Sequence, residues 1–162
     1  MRMKVRQLSD GDAGIDETVA RMIHLARRDA RSAAVKRLAA RLKKGTDVDR
    51  VRQAFQAVVE MVPYRHDPPN YELVIAPKYL LGGKWHGGDC DDQTTALASL
   101  LLAMGIRTWI KVIAWRRQEF THVYLLAEIA SQGIAIPLDT VMGHSGFGME
   151  KQPLIRSKEY AV

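Results

Sequence analysis

The chain has 162 residues, 47% of them hydrophobic, with 24 Lys plus Arg against 18 Asp plus Glu and a single Cys. At this length one core can bury roughly 70% of the unfolded surface unaided, while a lone cysteine excludes an internal disulfide framework and a zinc site built on several thiolates. Apolar runs such as Ala96 to Met104 are far too short to span a bilayer, and Met1 to Asp12 lacks the apolar stretch of an export signal, so a water-soluble chain resident in the cytoplasm is expected, with no membrane partner.

The net charge of +6 is unevenly placed: residues 1 to 60 hold 14 basic and 8 acidic residues, residues 61 to 162 ten of each. From Arg21 to Lys44 nine basic residues face the lone Asp29. Such a run is usually a solvated helix face, and the alternative is a surface for nucleic acid or an acidic partner.

In chain order, residues 1–14 carry no convincing period and are expected to form a loose lead-in. Val19, Met22, Ile23, Ala26 and Ala30 then recur at helical spacing behind a cap at Asp16. A second helix is expected from Ser32 to Lys44 on Val35, Leu38, Ala39 and Leu42, with Gly45 as its stop, and a third from Thr46 or Asp47 to Pro63 on Val51, Phe55, Val58, Val59 and Val62. Pro63 to Gly88 reads as a long loop, kept ordered by Tyr64, Tyr71, Tyr79 and Trp85, with one helical turn near Lys78 to Leu81. A markedly apolar helix follows from Cys90 to Met104, stopped by Gly105.

After it the period drops to two, giving strands over Thr108–Trp115, His122–Glu128 and Ile134–Leu138, antiparallel on their short connections. The layout is α+β, one domain over 15–145 with a C-terminal tail over 146–162.

The segment most suggestive of chemistry is Gly87-Gly88-Asp89-Cys90-Asp91-Asp92, where the loop enters the apolar helix. A thiol in a helix's first turn meets unpaired N–H groups and the positive end of the macrodipole, which favour thiolate, and paired glycines let another chain approach it. The three aspartates oppose a further negative charge, so a thiolate here needs a cationic partner such as imidazolium. Of the five histidines, His122 opens a strand. One strand later Asp139 ends its antiparallel neighbour, which makes the two cross-strand neighbours about 5 Å apart at Cβ. A carboxylate so placed fixes an imidazole's tautomer while the other ring nitrogen serves a thiol.

The order Cys90 at a helix start, then His122-Val123-Tyr124, then Pro137-Leu138-Asp139 resembles the transglutaminase-like superfamily, a version of the papain-like cysteine protease core. The likeness reaches back to Tyr64-Arg65-His66-Asp67-Pro68, covers most of residues 15 to 145, and is nearest the small bacterial and phage-encoded branch with an N-terminal helical part. It implies Cys90 as nucleophile, His122 as general base and acid, Asp139 as the group that orients His122, no cofactor, and a protein or peptide substrate. The activity implied is thiol-dependent amide hydrolysis or acyl transfer, hydrolysis ahead of protein cross-linking because nothing in the sequence excludes water from the site. The oxyanion would take the Cys90 N–H and, as a candidate second donor, the Trp85 indole. For a phage-encoded chain the resemblance also admits a virion or assembly component with no turnover.

Other residues have plainer roles. Trp85 is more simply a packing residue, as are Trp109 and Trp115; His86 and His24 are expected at the surface; His66 and His144 sit in loops; Asp67 suits a turn before Pro68. A zinc site on Cys90, Asp92, His122 and Asp139 is the metal alternative, weakened by the absence of a short-spaced ligand pair. Nucleic-acid binding through Arg21 to Lys44 lacks interleaved aromatics.

Overall fold

The structure is a computed structural model and describes residues 11–69 and 71–162. Four helices precede the central one. Helix α1 (Asp12–Asp29) starts a turn before the expected Asp16 cap, behind Gly11. The reason is tertiary: Asp12 and Asp16 are held by Arg156 and Lys158 from the C-terminal segment. Of the expected lead-in, residues 12–14 are therefore helical, and 1–10 lie outside the described residues.

Helix α2 (Ala33–Leu42) is capped by Ser32, whose hydroxyl accepts from the Val35 N–H. Helix α3 (Asp47–Met61) opens on a capping box in which Thr46 and Asp49 satisfy one another's N–H groups, and it ends before Pro63. The turn α4 (Pro77–Leu80) sits inside the long loop with Pro77 in its first position.

Helix α5 (Cys90–Ala103) is buried without interruption from Asp91 to Leu101. It has no solvated face because α1, α2, α3 and α4 pack against it and the sheet covers the rest. That is why it is apolar all round from Ala96 to Ala103, Ser99 apart, while its first turns bury polar Asp91, Asp92, Gln93, Thr94 and Thr95.

The sheet has four strands in the order β3-β2-β1-β4, all antiparallel. Strands β1 (Thr108–Ala114), β2 (His122–Ile129) and β3 (Ile134–Leu138) form the expected meander. Strand β4 (Arg156–Ala161) corrects the expectation of a tail over 146–162. It pairs with β1 from Trp109↔Ala161 to Ala114↔Arg156, and Tyr160 and Val162 pack on the core. With charged residues at three of its six positions it reads as polar; as an edge strand it needs only one apolar face.

Val123, Leu125, Ala127 and Ile129 of β2 and Ile110 and Val112 of β1 belong to the core that contains α5. By the strand period the alternate residues, His122, Tyr124 and Lys111, project from the other face. Between β3 and β4 the chain makes short 3₁₀ turns over Thr140–Gly146, kinked at Gly143, and Phe147 packs edge-on against Phe55 of α3. No helix among the described residues is long and apolar enough to cross a membrane.

Candidate functional site

Cys90 is held where three pieces of chain meet. The strand-like segment 63–65 runs beside 87–89, with the Gly88 N–H donating to Pro63 O at 3.1 Å and the Arg65 N–H donating to Gly88 O at 2.9 Å. Gly87 is required by this approach, since it turns at φ +81° and a Cβ there would lie 2.8 Å from Pro63 O; at Gly88 a Cβ would lie 2.4 Å from the Asp92 Cβ.

The next residue, Asp89, caps α5 by accepting from the N–H groups of Asp91 and Asp92 at 3.0 and 3.4 Å, and Asp92 returns the bond to the Asp89 N–H. Asp92 is fully buried, and its other oxygen accepts from the Ile75 N–H at 2.6 Å, fastening the long loop to the helix start. Cys90 itself is half-buried. The N–H of Val123, the second residue of β2, interacts with the sulfur, while Thr94 one turn along donates to Val123 O at 3.4 Å.

On the adjoining strand ends, His122 Nε2 and Asp139 Oδ2 are 2.8 Å apart, with side chains 8% and 2% exposed. Asp139 also accepts from the Val141 N–H through Oδ1 at 3.2 Å, so both its oxygens are engaged. With Asp139 accepting, the proton of a neutral His122 sits on Nε2, which leaves the lone pair on Nδ1.

Of the three residues singled out for catalysis, the fold thus joins His122 to Asp139 and brings the sulfur to the neighbouring residue of β2. No hydrogen bond links Cys90 to His122 among the described residues; the thiol's side-chain bond goes to Asp91 Oδ1 at 3.7 Å.

The electrostatics correct one expectation. In place of the thiolate that a helix start favours, burial pushes the Cys90 thiol up, and Asp91 and Asp89 add to the effect. The Val123 N–H opposes this weakly. Desolvation and like charge therefore outweigh the helix end.

The carboxyl groups respond in the same direction. Burial first, then Asp67, raises Asp89 to about 6; burial first, then Asp89 and Asp67, raises Asp92 to about 8 against its bond from Ile75. Asp91 is driven well up by burial, by Asp89 and by a hydrogen bond with Glu72. Burial thus holds the thiol and the neighbouring carboxyl groups toward their neutral forms, Asp92 more strongly than Asp89.

Trp85 is half-buried and packs against the core, the plainer of its two readings, and its backbone N–H donates to Tyr79 O. His86 and His24 are exposed; His66 is exposed beside Tyr64, and the exposed His144 faces Glu60 at 4.0 Å. Asp67 accepts from the Leu73 N–H at 2.5 Å, six residues on, which closes the loop that follows it and not a tight turn before Pro68. The four candidate zinc ligands Cys90, Asp92, His122 and Asp139 are not brought together, because Asp92 is committed to Ile75 and Asp89 and Asp139 to His122 and Val141. The donor atoms within 4.8 Å of one another are instead those of Asp89, Cys90 and Asp91.

Sequence reasoning missed Glu72 and Tyr64, which reach the site from an irregular loop with no period to place them. It also missed a polar cluster behind His122. There the fully buried Tyr124 donates to Glu150, Lys111 Nζ lies 2.6 Å from the same carboxylate, and the rings of Tyr124 and His122 are 6.0 Å apart. Alternation on β1 and β2 puts Lys111 opposite Tyr124 on the outer face; nothing local to Glu150 marks it as their partner. Comparison with known proteins adds no relative to this geometry: the chain matches no protein-family model and no curated protein.

Proposed function

We propose that the chain is a thiol-dependent hydrolase acting on amide bonds of a protein or peptide, with a papain-like, transglutaminase-like core and Cys90, His122 and Asp139 as its working groups. The observation that carries this reading is the His122–Asp139 pair at 2.8 Å on the strand ends, one residue along β2 from Val123, whose N–H meets the sulfur of the lone thiol. The arrangement leaves His122 Nδ1 free to take a proton.

Because burial and the aspartates keep the resting thiol protonated, activation takes place during attack rather than before it. Cys90 Sγ forms a bond to the carbonyl carbon as its proton passes to His122 Nδ1. The C–N bond breaks as His122 returns that proton to the departing amine, leaving a thioester. Water, deprotonated by the same imidazole, then releases the acid and restores the thiol. Asp139 holds the ring and stabilises its charged form. The Cys90 N–H would receive the oxyanion. A competing amine in place of water would give cross-linking.

A second reading, a non-enzymatic assembly module on the same fold, is favoured by one observation: the thiol bonds to Asp91 and not to His122.

Incubation with an activated acyl ester, followed by intact-mass analysis, separates the two. The enzyme reading expects one acyl group on Cys90, formed about a hundredfold more slowly in His122→Ala. Acylation that is absent, or indifferent to His122, overturns it.

A further inference from the structure

Away from the thiol, a cavity of about 240 Å³ lies between the start of α2 and α4, lined by Ala33, Ala34, Arg37, Lys78, Tyr79 and Lys84 among others. Its floor is formed by small residues and a tyrosine, and its charged groups are all cations. Arg37 and Lys84 are exposed, Lys78 is half-buried, and none of the three enters an ion pair among the described residues.

The nearest acid, Asp29, is buried. It is already neutralised by Arg28 Nε at 2.7 Å and accepts the Lys78 N–H at 3.1 Å, so it does not cancel the field in the cavity. Three like charges around one small hollow repel each other, and an anion relieves that repulsion.

The positive surface continues beyond the cavity. Arg37 and Arg41 stand one turn apart on α2, both exposed, and exposed Lys44 follows just past the helix end. Cationic groups spaced by helical turns of about 5.4 Å form a line that a chain of regularly spaced phosphates can follow, and an isolated carboxylate would use only one end of it.

We propose that this cavity is a phosphate-binding site, seating one phosphate of a nucleic-acid strand whose backbone then runs along Arg37, Arg41 and Lys44. Binding is electrostatic and independent of sequence, and Lys78 Nζ is held over the Tyr79 ring at 5.1 Å within the lining. The site is independent of the proposed thiol chemistry.

The test is fluorescence anisotropy of the full chain with a labelled single-stranded oligonucleotide across a salt series, with Arg37→Ala/Lys84→Ala and Arg41→Ala/Lys44→Ala as exposed double variants checked by circular dichroism. Wild type is expected to bind at low salt. Each pair is expected to weaken binding and flatten the slope of log K on log salt, by about 0.7 for Arg37→Ala/Lys84→Ala, which meet one phosphate, and by about 1.4 for Arg41→Ala/Lys44→Ala, roughly 0.7 per lost phosphate contact. Pyrophosphate should compete and polyglutamate of equal charge should compete poorly. No binding at low salt, unchanged slopes in both variants, or equal competition by polyglutamate would each overturn the proposal. Acylation of Cys90 by an activated ester should be the same in wild type and both variants, so a failure here is distinguishable from a failure of the thiol reading.

Discussion

His122 Nε2 and Asp139 Oδ2 lie 2.8 Å apart although the two residues are not ladder partners: the β2–β3 register pairs Leu125 with Leu138. Continuing that register by one residue sets Asp139 opposite Tyr124, so the carboxylate reaches His122 diagonally along one face of the sheet. Because Asp139 also accepts from the Val141 N–H, it fixes the 3₁₀ turn as well as the imidazole.

Replacing this carboxylate tests both duties. Asp139→Ala strands the buried His122 Nε2–H and frees the Val141 N–H, and is expected to lower unfolding free energy by about 1–3 kcal/mol in urea titrations. Asp139→Asn should cost less but present an NH₂ to His122, moving the ring proton from Nε2 to Nδ1. Nitrogen-15 NMR of the imidazole reads that change, and an unaltered tautomer in Asp139→Asn would show that Asp139 does not set it.

The thiol's environment yields a second expectation. With burial, Asp91 and Asp89 all raising its pKa, Cys90 should be alkylated by iodoacetamide at pH 7 more slowly than free cysteine. Asp89, raised only to about 6, is charged at pH 7, so Asp89→Asn removes a charge that holds the thiol up and should speed the reaction about tenfold for every pH unit by which the thiol's pKa falls. A rate unchanged by Asp89→Asn would mean that access, and not charge, limits the reaction.

Stability should depend on pH in an unusual sense. The folded pKa of Asp92 is raised to about 8 and that of Asp89 to about 6, both above the ordinary carboxyl value of 3.8. The folded chain therefore binds more protons than the unfolded one between about pH 4 and 8. Stability should be greatest near pH 4 and fall as pH rises to 8, a tenfold tighter hold on one proton in the folded state being worth about 1.4 kcal/mol at full effect. The carboxyl groups held low, such as Asp16, Asp47 and Glu128, lose their contribution only below their ordinary range, so they do not mask this window. Asp89→Asn keeps the capping oxygen and should flatten the curve between pH 4 and 6. Urea midpoints that rise steadily from pH 5 to 8 would contradict the assignment.

The parts of this arrangement legible in the sequence are those with a period or a cap. Helices α2, α3 and α5 announce themselves through Ser32, Thr46 and Asp89 followed by regular apolar positions, and β1 to β3 through alternation. The meander puts His122 and Asp139 on adjoining strand ends, but not as the direct cross-strand neighbours expected: the register sets Asp139 opposite Tyr124, and its carboxylate reaches His122 on the diagonal. The thiol's ionisation is not legible. It depends on how deeply Cys90 is buried and on Glu72, Asp67 and Asp89 converging through an irregular loop, and neither is encoded in spacing. The start of α1 and the whole of β4 escape sequence reasoning for a shared cause: Asp12 and Asp16 look like helix-start acids, yet their partners lie at the far end of the chain in Arg156, Lys158 and Tyr160.

That last pairing can be separated into its backbone and ionic parts. Strand β4 covers the β1 edge from Trp109 to Ala114, and Tyr160 and Val162 add apolar surface to the core. The ion pairs from Arg156 and Lys158 lie in solvent, where charge pairs contribute little. Ending the chain at Ile155 should therefore expose a row of unpaired β1 groups and cost more than about 3 kcal/mol, or abolish cooperative unfolding altogether. Lys158→Ala, which removes only an exposed contact, should leave the thermal midpoint almost unchanged. If the truncated chain unfolds at the same midpoint as the full one, β4 is dispensable and the sheet is effectively three-stranded. If Lys158→Ala proves as damaging as the truncation, the ionic tie to α1, and not the ladder, holds the strand in place.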